Sequence, residues 1–180
     1  MEQKPITVRT GETENSADRL TLRPIEDGDR DALAEMLTSS AVNQTYLLPD
    51  FDGTDDPKLL RLIGRLTEYS RDDAHFVRGM DVDGKLVGFL NDVEIDGGKI
   101  ELGWVVHPSC HNRGFCTAAA KAAIRELFGR GFDTVTAGAF EENPASLRVM
   151  QKCGMTLTDR VDELEYRGKV HRVINYKITK

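Results

Sequence analysis

Residues 111–117, read as His-Asn-Arg-Gly-Phe-Cys-Thr, put a cation, a glycine and a hydroxyl directly in front of an alanine-rich stretch with helical periodicity. A helix start leaves about four backbone N–H groups without intrahelical partners and carries roughly half a positive charge. No serine or aspartate stands there as an ordinary cap, so an external anion can complete the helix end instead. Gly114 lets backbone approach such an anion closely, Arg113 adds a full positive charge, and Thr117 offers a hydroxyl in the first turn. Residues 112–117 therefore read as a short phosphate cradle. The segment is neither a Walker loop nor a dinucleotide fingerprint, which need other glycine spacings. Taken alone, one glycine at a helix start is a weak signal and reads first as a plain strand-to-helix turn.

Other residue types nearby suggest different chemistry. His107, Cys110, His111 and Cys116 fall close enough together to raise a zinc site, yet no second ligand pair accompanies them and Cys116 sits inside the helix start. No metal is expected. The chain has three cysteines, an odd number without framework spacing, which reads as reduced thiols. A helix amino terminus favours a thiolate at Cys116, but no base stands beside it in sequence. His75 and His171 read as polar strand residues rather than catalysts. Further along, Asn143 precedes Pro144 as a helix cap, and Ser146 follows three residues later.

The elements that must position these groups follow from periodicity. Residues 19–25 alternate Leu20 and Leu22 and stop at Pro24, as a strand does. Apolar stripes predict helices over 29–38 and 57–69, the second opened by Pro57. The link between them, 42–56, reads as irregular and long enough to line a substrate pocket. From 74 to 106 three short strands are separated by Asp83-Gly84 and Asp96-Gly97-Gly98, predicting an antiparallel meander. The cradle leads into a helix that carries Ala120, Ala123, Ile124, Leu127 and Phe128 on one face and ends at Gly129 and Gly131. The strand at 132–140 would then lie parallel to the last meander strand. A short helix after Asn143 and two strands around residues 166–169 complete the chain. Residues 1–18 read as a loosely ordered arm in which Ile-Thr-Val-Arg can add an edge strand, and 19–180 as a single domain.

Four segments, taken in order, resemble the GNAT N-acetyltransferase superfamily, and within it the branch of ribosomal-protein alanine N-acetyltransferases. They are DRLTLRPIEDGD, IELGWVVHP, HNRGFCTAA and NPASLRVMQKCGM, similar respectively to that branch's opening strand, its acidic-x-Gly-aromatic central strand, its acyl-CoA loop and its N-x-x-S helix. His111 replaces the usual glutamine or arginine and Cys116 the usual glycine or alanine, both compatible with a loop that binds through backbone N–H groups. The resemblance implies an α+β fold: a mixed, mostly antiparallel central sheet flanked by helices, with a splayed parallel strand pair.

It also implies acetyl-CoA as co-substrate and direct attack by a primary amine in a ternary complex. His111, Asn112, Arg113, Gly114, Phe115, Cys116 and Thr117 would hold the pyrophosphate. Trp104, Val105 and Val106 would face the pantetheine arm, with Val105 or Val106 offering the N–H that polarises the thioester. Asn143 would bind pantetheine or serve as the cap. Ser146 would protonate the leaving thiolate or support the cap. Glu101 and Glu165 are the two candidates for the base. The alternative class is a non-catalytic acyl-CoA-binding or regulatory module of the same fold.

The bulk numbers fit this reading. A net charge of −6 without a basic block gives no nucleic-acid footprint. No apolar run approaches the roughly 18 residues of a membrane span, and the amino terminus lacks a signal pattern, so a cytoplasmic protein is expected. The acceptor would be an amine-bearing small molecule or a protein N-terminus, and the enzyme a monomer or homodimer. The acidic residues of 49–56 favour a cationic acceptor weakly and are otherwise a solvated loop.

Overall fold

Alternating Leu20 and Leu22, both fully buried, turn the strand at Arg19–Arg23 into a core element, and the Pro24 that follows ends it. The computed structural model describes residues 5–9 and 19–180. Among them eight strands run in the order β1-β2-β3-β4-β5-β6-β8-β7. The strands are β1 (Ile6–Arg9), β2 (Arg19–Arg23), β3 (Val77–Val82), β4 (Lys85–Asp96), β5 (Lys99–Val106), β6 (Thr134–Phe140), β7 (Thr156–Tyr166) and β8 (Lys169–Thr179). The helices are α1 (Arg30–Thr38), α2 (Ser40–Asn43), α3 (Pro57–Tyr69), α4 (Phe115–Gly129) and α5 (Pro144–Lys152). Ile6–Arg9 pairs antiparallel with β2, so the edge strand allowed by its sequence forms. The loose order expected of the rest of residues 1–18 lies outside the described residues.

The chain divides into two units, one made of Met1–Asn91 with Trp104–Ala119, the other of Asp92–Gly103 with Ala120–Lys180. In the first unit, Leu33, Met36 and Leu37 of α1 and Leu59, Ile63 and Leu66 of α3 share one apolar cluster with Phe89 of β4 and Val105 of β5. Helical spacing in α1 and α3 and strand alternation in β4 aim these side chains at a common core. Asp56 caps α3: its Oδ1 accepts the Lys58 N–H at 2.7 Å and its Oδ2 the Asp52 N–H at 2.8 Å. The link expected to be irregular from residue 42 instead begins inside α2, because Asn43 donates its side-chain amide to the carbonyls of Leu37 and Ser39 and ties the extra turn to α1. His75 is not a strand residue; it lies in the bend before β3, stacked on Tyr69 at 3.7 Å.

In the second unit, β5 and β6 pair in parallel from Lys99–Thr134 to Glu101–Thr136. On its other side β6 pairs antiparallel with β8 along its whole length, from Thr134–Thr179 to Phe140–Val173. Val135, Ala137 and Ala139 of β6 alternate as buried positions, as do Ile100 and Leu102 of β5. The β3–β4 and β7–β8 turns each use two consecutive positive φ angles, at Asp83-Gly84 and at Arg167-Gly168, the geometry that matches strand twist, and the β4–β5 turn takes one at Gly97. Among the described residues no helix is long and apolar enough to cross a membrane.

One charged cluster holds β2, the turn before α1 and β3 together. The Arg23 guanidinium donates to both Asp29 oxygens at 2.7 and 2.9 Å and to Asp81 at 2.9 and 3.0 Å, with all three side chains largely buried. Burial alone would raise the Asp29 carboxyl, but hydrogen bonds from Arg23 and the Glu26 backbone hold it below the usual range. Arg23→Met is expected to cost about 3 kcal/mol in urea unfolding, because two buried carboxylates lose their partner. Asp29 contributes fully above its unfolded value of 3.8, and that share is lost as pH falls through its lower folded value. The penalty of Asp29→Asn should therefore be large near neutrality and shrink toward acid.

Candidate active site

The first unit carries the cradle. Beyond β5, the His107 N–H donates to the Val87 carbonyl at 2.8 Å, and His107 then caps the 3-10 turn Pro108–Cys110 by accepting the Ser109 N–H at Nδ1. Asn112 and Gly114 both take positive φ, +61° and +81°, on either side of Arg113. Backbone that alternates in this way forms concave nests of N–H groups. The Ala118 N–H donates to the Gly114 carbonyl at 3.1 Å, so the amides of residues 115–117 are the leading amides of α4.

Two contacts hold this turn. Phe115 is 1% exposed and anchors the helix start, with the Arg113 guanidinium over its ring at 4.8 Å. His111 Nε2 stands 3.0 Å from the Val106 carbonyl. A carbonyl only accepts, so Nε2 carries the proton, and the imidazole pins the loop to the end of β5. Apart from its chain neighbours, no described residue comes within 4 Å of where a Cβ on Gly114 would stand. The glycine is thus required by its backbone angle, which L side chains adopt with difficulty, and not by crowding. Crowding does apply at Gly88, where a Cβ would sit 2.5 Å from the Val105 carbonyl and 3.2 Å from the Val106 Cα. Gly88 thereby admits the close approach of β4 to the end of β5 at Trp104, Val105 and Val106. Among the described residues no three histidine, cysteine, aspartate or glutamate side chains form a metal-ligand group.

The second unit carries the groups expected to handle protons. Asn143 Oδ1 accepts the Ser146 N–H at 3.2 Å and its Nδ2 donates to Ser146 Oγ at 3.1 Å. One side chain thus caps α5 and orients the serine hydroxyl, and accepting a hydrogen bond polarises that hydroxyl to donate its own proton. Glu101 is half-buried in β5, and burial pushes its carboxyl up. Arg160 pulls it the other way, and Glu94 and Asp162 push it further up. Arg160 is itself occupied by Asp162 at 2.8 Å, and Asp162 also accepts from Asn175 at 2.9 Å. Glu165 is exposed on β7, opposite Val170 and one residue from the hairpin turn.

Sequence reasoning did not bring out one further pair of ionisable groups beside the α5 cap, His171 and Glu142. His171 stacks on Phe140 at 4.2 Å and its Nδ1 lies 3.5 Å from Glu142 Oε1, with only 13% of the imidazole exposed. Glu142 also receives Lys169 at 2.6 Å, and these contacts, the lysine hydrogen bond foremost, hold its carboxyl near 2. Glu142 immediately precedes Asn143, so the pair adjoins the α5 cap. No local spacing joins residues 142 and 171; the β6–β8 register, extended by the Glu141 N–H to the Arg172 carbonyl at 2.8 Å, brings them together.

The sequence profile of the acetyltransferase (GNAT) domain matches residues 19–156. No curated protein sequence matches the chain significantly. Among solved structures, RimL, the ribosomal L7/L12 alpha-N-protein acetyltransferase in complex with coenzyme A, superposes with a TM-score of 0.80 at 17% identity, covering 97% of this chain and 98% of that one. Mycobacterium smegmatis RimJ, in complex with CoA-disulfide, gives 0.79 at 19% identity over 97% and 86% of the two chains. Spermidine N-acetyltransferase from Vibrio cholerae, in complex with CoA and spermine, gives 0.75 at 20% identity over 89% and 95%. Identities this low speak for a shared fold.

Two outcomes are expected from this geometry. Asn143→Ala should cost about 1 kcal/mol of stability in urea, and Asn143→Asp, which still caps, should recover most of it. Glu101 favours folding fully below its unfolded value of 4.5, and that contribution is lost as pH rises through its raised folded value. Glu101→Gln cannot ionise, so it should melt above wild type near about pH 7 and no higher than wild type near about pH 4.

Proposed function

The chain belongs to the GNAT acetyltransferase family, and we propose that it transfers the acetyl group of acetyl-CoA to a primary amine by direct attack in a ternary complex. The cradle carries this reading. Two positive φ angles flank Arg113 at the start of α4, and the leading amides follow a glycine with no described residue beyond its chain neighbours near its Cβ position. A diphosphate is the ligand whose charge and size suit such a helix start.

In this reading residues 111–117 bind the pyrophosphate, with Arg113 countering its charge and Thr117 offering its hydroxyl. The backbone of Trp104, Val105 and Val106 engages the pantetheine arm, and the Val105 or Val106 N–H polarises the thioester carbonyl. The parallel ladder of β5 and β6 is short, three residue pairs from Lys99 to Glu101. The acceptor enters as an ammonium, so one proton must leave before its nitrogen attacks. Glu101, Glu165 or the His171–Glu142 pair takes that proton through water. Of these, Glu101 is half-buried with its carboxyl raised by burial, and His171 lies 3.5 Å from Glu142 beside the α5 cap. As the C–N bond forms and the C–S bond breaks, Ser146 donates its proton to the departing thiolate, and Asn143 holds the hydroxyl in place or releases it to bond pantetheine. The acceptor is an amine-bearing small molecule or a protein N-terminus, and the setting is the cytoplasm.

Gly114→Asp puts a carboxylate and a strained backbone where the pyrophosphate belongs. Calorimetry with acetyl-CoA should show affinity weakened by at least about tenfold in a folded variant, and unchanged affinity would remove the cradle. Ser146→Ala should lower amine-dependent release of free CoA by about a hundredfold with acetyl-CoA affinity kept. If wild type binds acetyl-CoA and acetylates nothing in a broad panel of amines and peptides, the chain is an acyl-CoA-binding module instead.

A further inference from the structure

Outside the cradle, the first unit holds a groove of about 660 Å³ between α3 and the segment that follows α2. One wall is apolar and is made by Tyr46, Leu47, Leu48 and Pro49. The α3 wall presents Lys58, Arg61 and Arg65 together with Leu62. All three cations are exposed, and Leu47 is 54% exposed although it is a large apolar side chain. The spacing of 58, 61 and 65 stacks the cations along one helix face over about 10 Å.

These charges are not spent inside the protein. Lys58 acts on Asp56, which is turned inward as the α3 cap. Among the described residues no ion pair engages Arg61 or Arg65, while Arg23, Arg30, Arg71, Arg130, Arg160 and Arg172 are all paired. Of the nearby carboxylates, Asp55 pairs with Arg30 and Asp56 with backbone N–H groups. In a chain of net charge −6, a positive strip over an apolar trough is a local reversal of sign. It attracts an anionic ligand that also brings apolar side chains.

On the acetyl-transfer reading, we propose that this groove docks an acidic, apolar-punctuated peptide segment of a protein acceptor. An extended segment alternating carboxylate and apolar residues turns its acids to one side and its apolar groups to the other, and about three residues span the cationic strip. The wall of the groove is held for such a guest: the Tyr46 hydroxyl donates to Asn91 Oδ1 at 2.7 Å, Tyr46 packs edge-on against Phe89, and Leu48 is buried in the core shared with Val105. A nucleic acid is disfavoured because its phosphates would meet only three cations and would leave the leucine wall unfilled. The acceptor preference therefore opposes the cationic one suggested by the composition of residues 49–56.

The test uses the full-length protein and fluorescein-labelled peptides of about ten residues, one alternating Glu and Leu and its counterpart alternating Lys and Leu, with a single-stranded RNA of similar length as a third probe. Fluorescence anisotropy should show binding of the Glu-Leu peptide that weakens with added salt, and at least about tenfold weaker binding of the Lys-Leu peptide. Arg61→Glu with Arg65→Glu should cost about tenfold for the Glu-Leu peptide, and Leu47→Ser severalfold, while calorimetric affinity for acetyl-CoA stays at the wild-type value. With Glu-Leu peptides as acceptors, the charge reversal should raise KM and leave kcat. Equal binding of the two peptides, indifference to the charge reversal, or tighter binding of RNA would each overturn the proposal. Loss of acetyl-CoA binding in the wild type would instead overturn the acetyl-transfer reading, and anisotropy still reports on the groove in that case.

Discussion

The leading amides of α4 impose a demand that the helix cannot meet from within. The Ala118 N–H donates one turn back to the Gly114 carbonyl, and the amides of residues 115–117 lead the helix at the end that carries its partial positive charge. Much of the local architecture serves that end. Phe115 is buried to anchor it, His111 ties the loop to the Val106 carbonyl, and positive φ at Asn112 and Gly114 turns the backbone into the helix. His111 stands where the related loops carry glutamine or arginine. Its imidazole fastens the loop to the end of β5 in this chain.

The second unit answers a different constraint, the packing of several ionisable groups on one sheet. Strand alternation puts Glu101 on a face with Arg160, Asp162 and Asn175, where burial and two neighbouring acids oppose its ionisation and one arginine favours it. At the carboxyl end of β6, His171 stacks on Phe140 and meets a carboxylate kept ionised by Lys169. The two places differ in kind: burial raises the carboxyl at Glu101, whereas at His171 an aromatic stack and a nearby carboxylate fix the ring. Asn143 sits between structure and chemistry, because the bonds that cap α5 also orient the Ser146 hydroxyl.

Elements with strong local signals were legible in the sequence. Pro57 after Asp56 marked α3, Asn143 with Pro144 marked α5, and Asp83-Gly84 marked the β3–β4 turn, because each is enforced by residues adjacent in the chain. The turn at residues 112–114 and the start of α4 were legible for the same reason, being a local backbone motif followed by an amphipathic helix. Less legible was α2: its Asn43 reaches back to carbonyls of α1, a contact that no propensity announces. His75 was misassigned because its stack on Tyr69 joins a helix end to a bend.

By itself the sequence determined what nearest neighbours along the chain can enforce: caps, turns, the periodicity of the strands and helices, the four ordered segments of the GNAT family, and the helix start that asks for an anion. Tertiary structure alone decided which distant groups meet. The β6–β8 register carries His171 to Glu142, and the packing of α3 leaves Arg61 and Arg65 without carboxylate partners beside an apolar wall. Ion pairs and grooves depend on separations of a few ångströms between residues far apart in the chain, and no single sequence encodes these distances locally. That is also why the composition of residues 49–56 suggested a cationic acceptor while the folded surface beside them offers positive charge: two of those acids are turned to a helix cap and to Arg30.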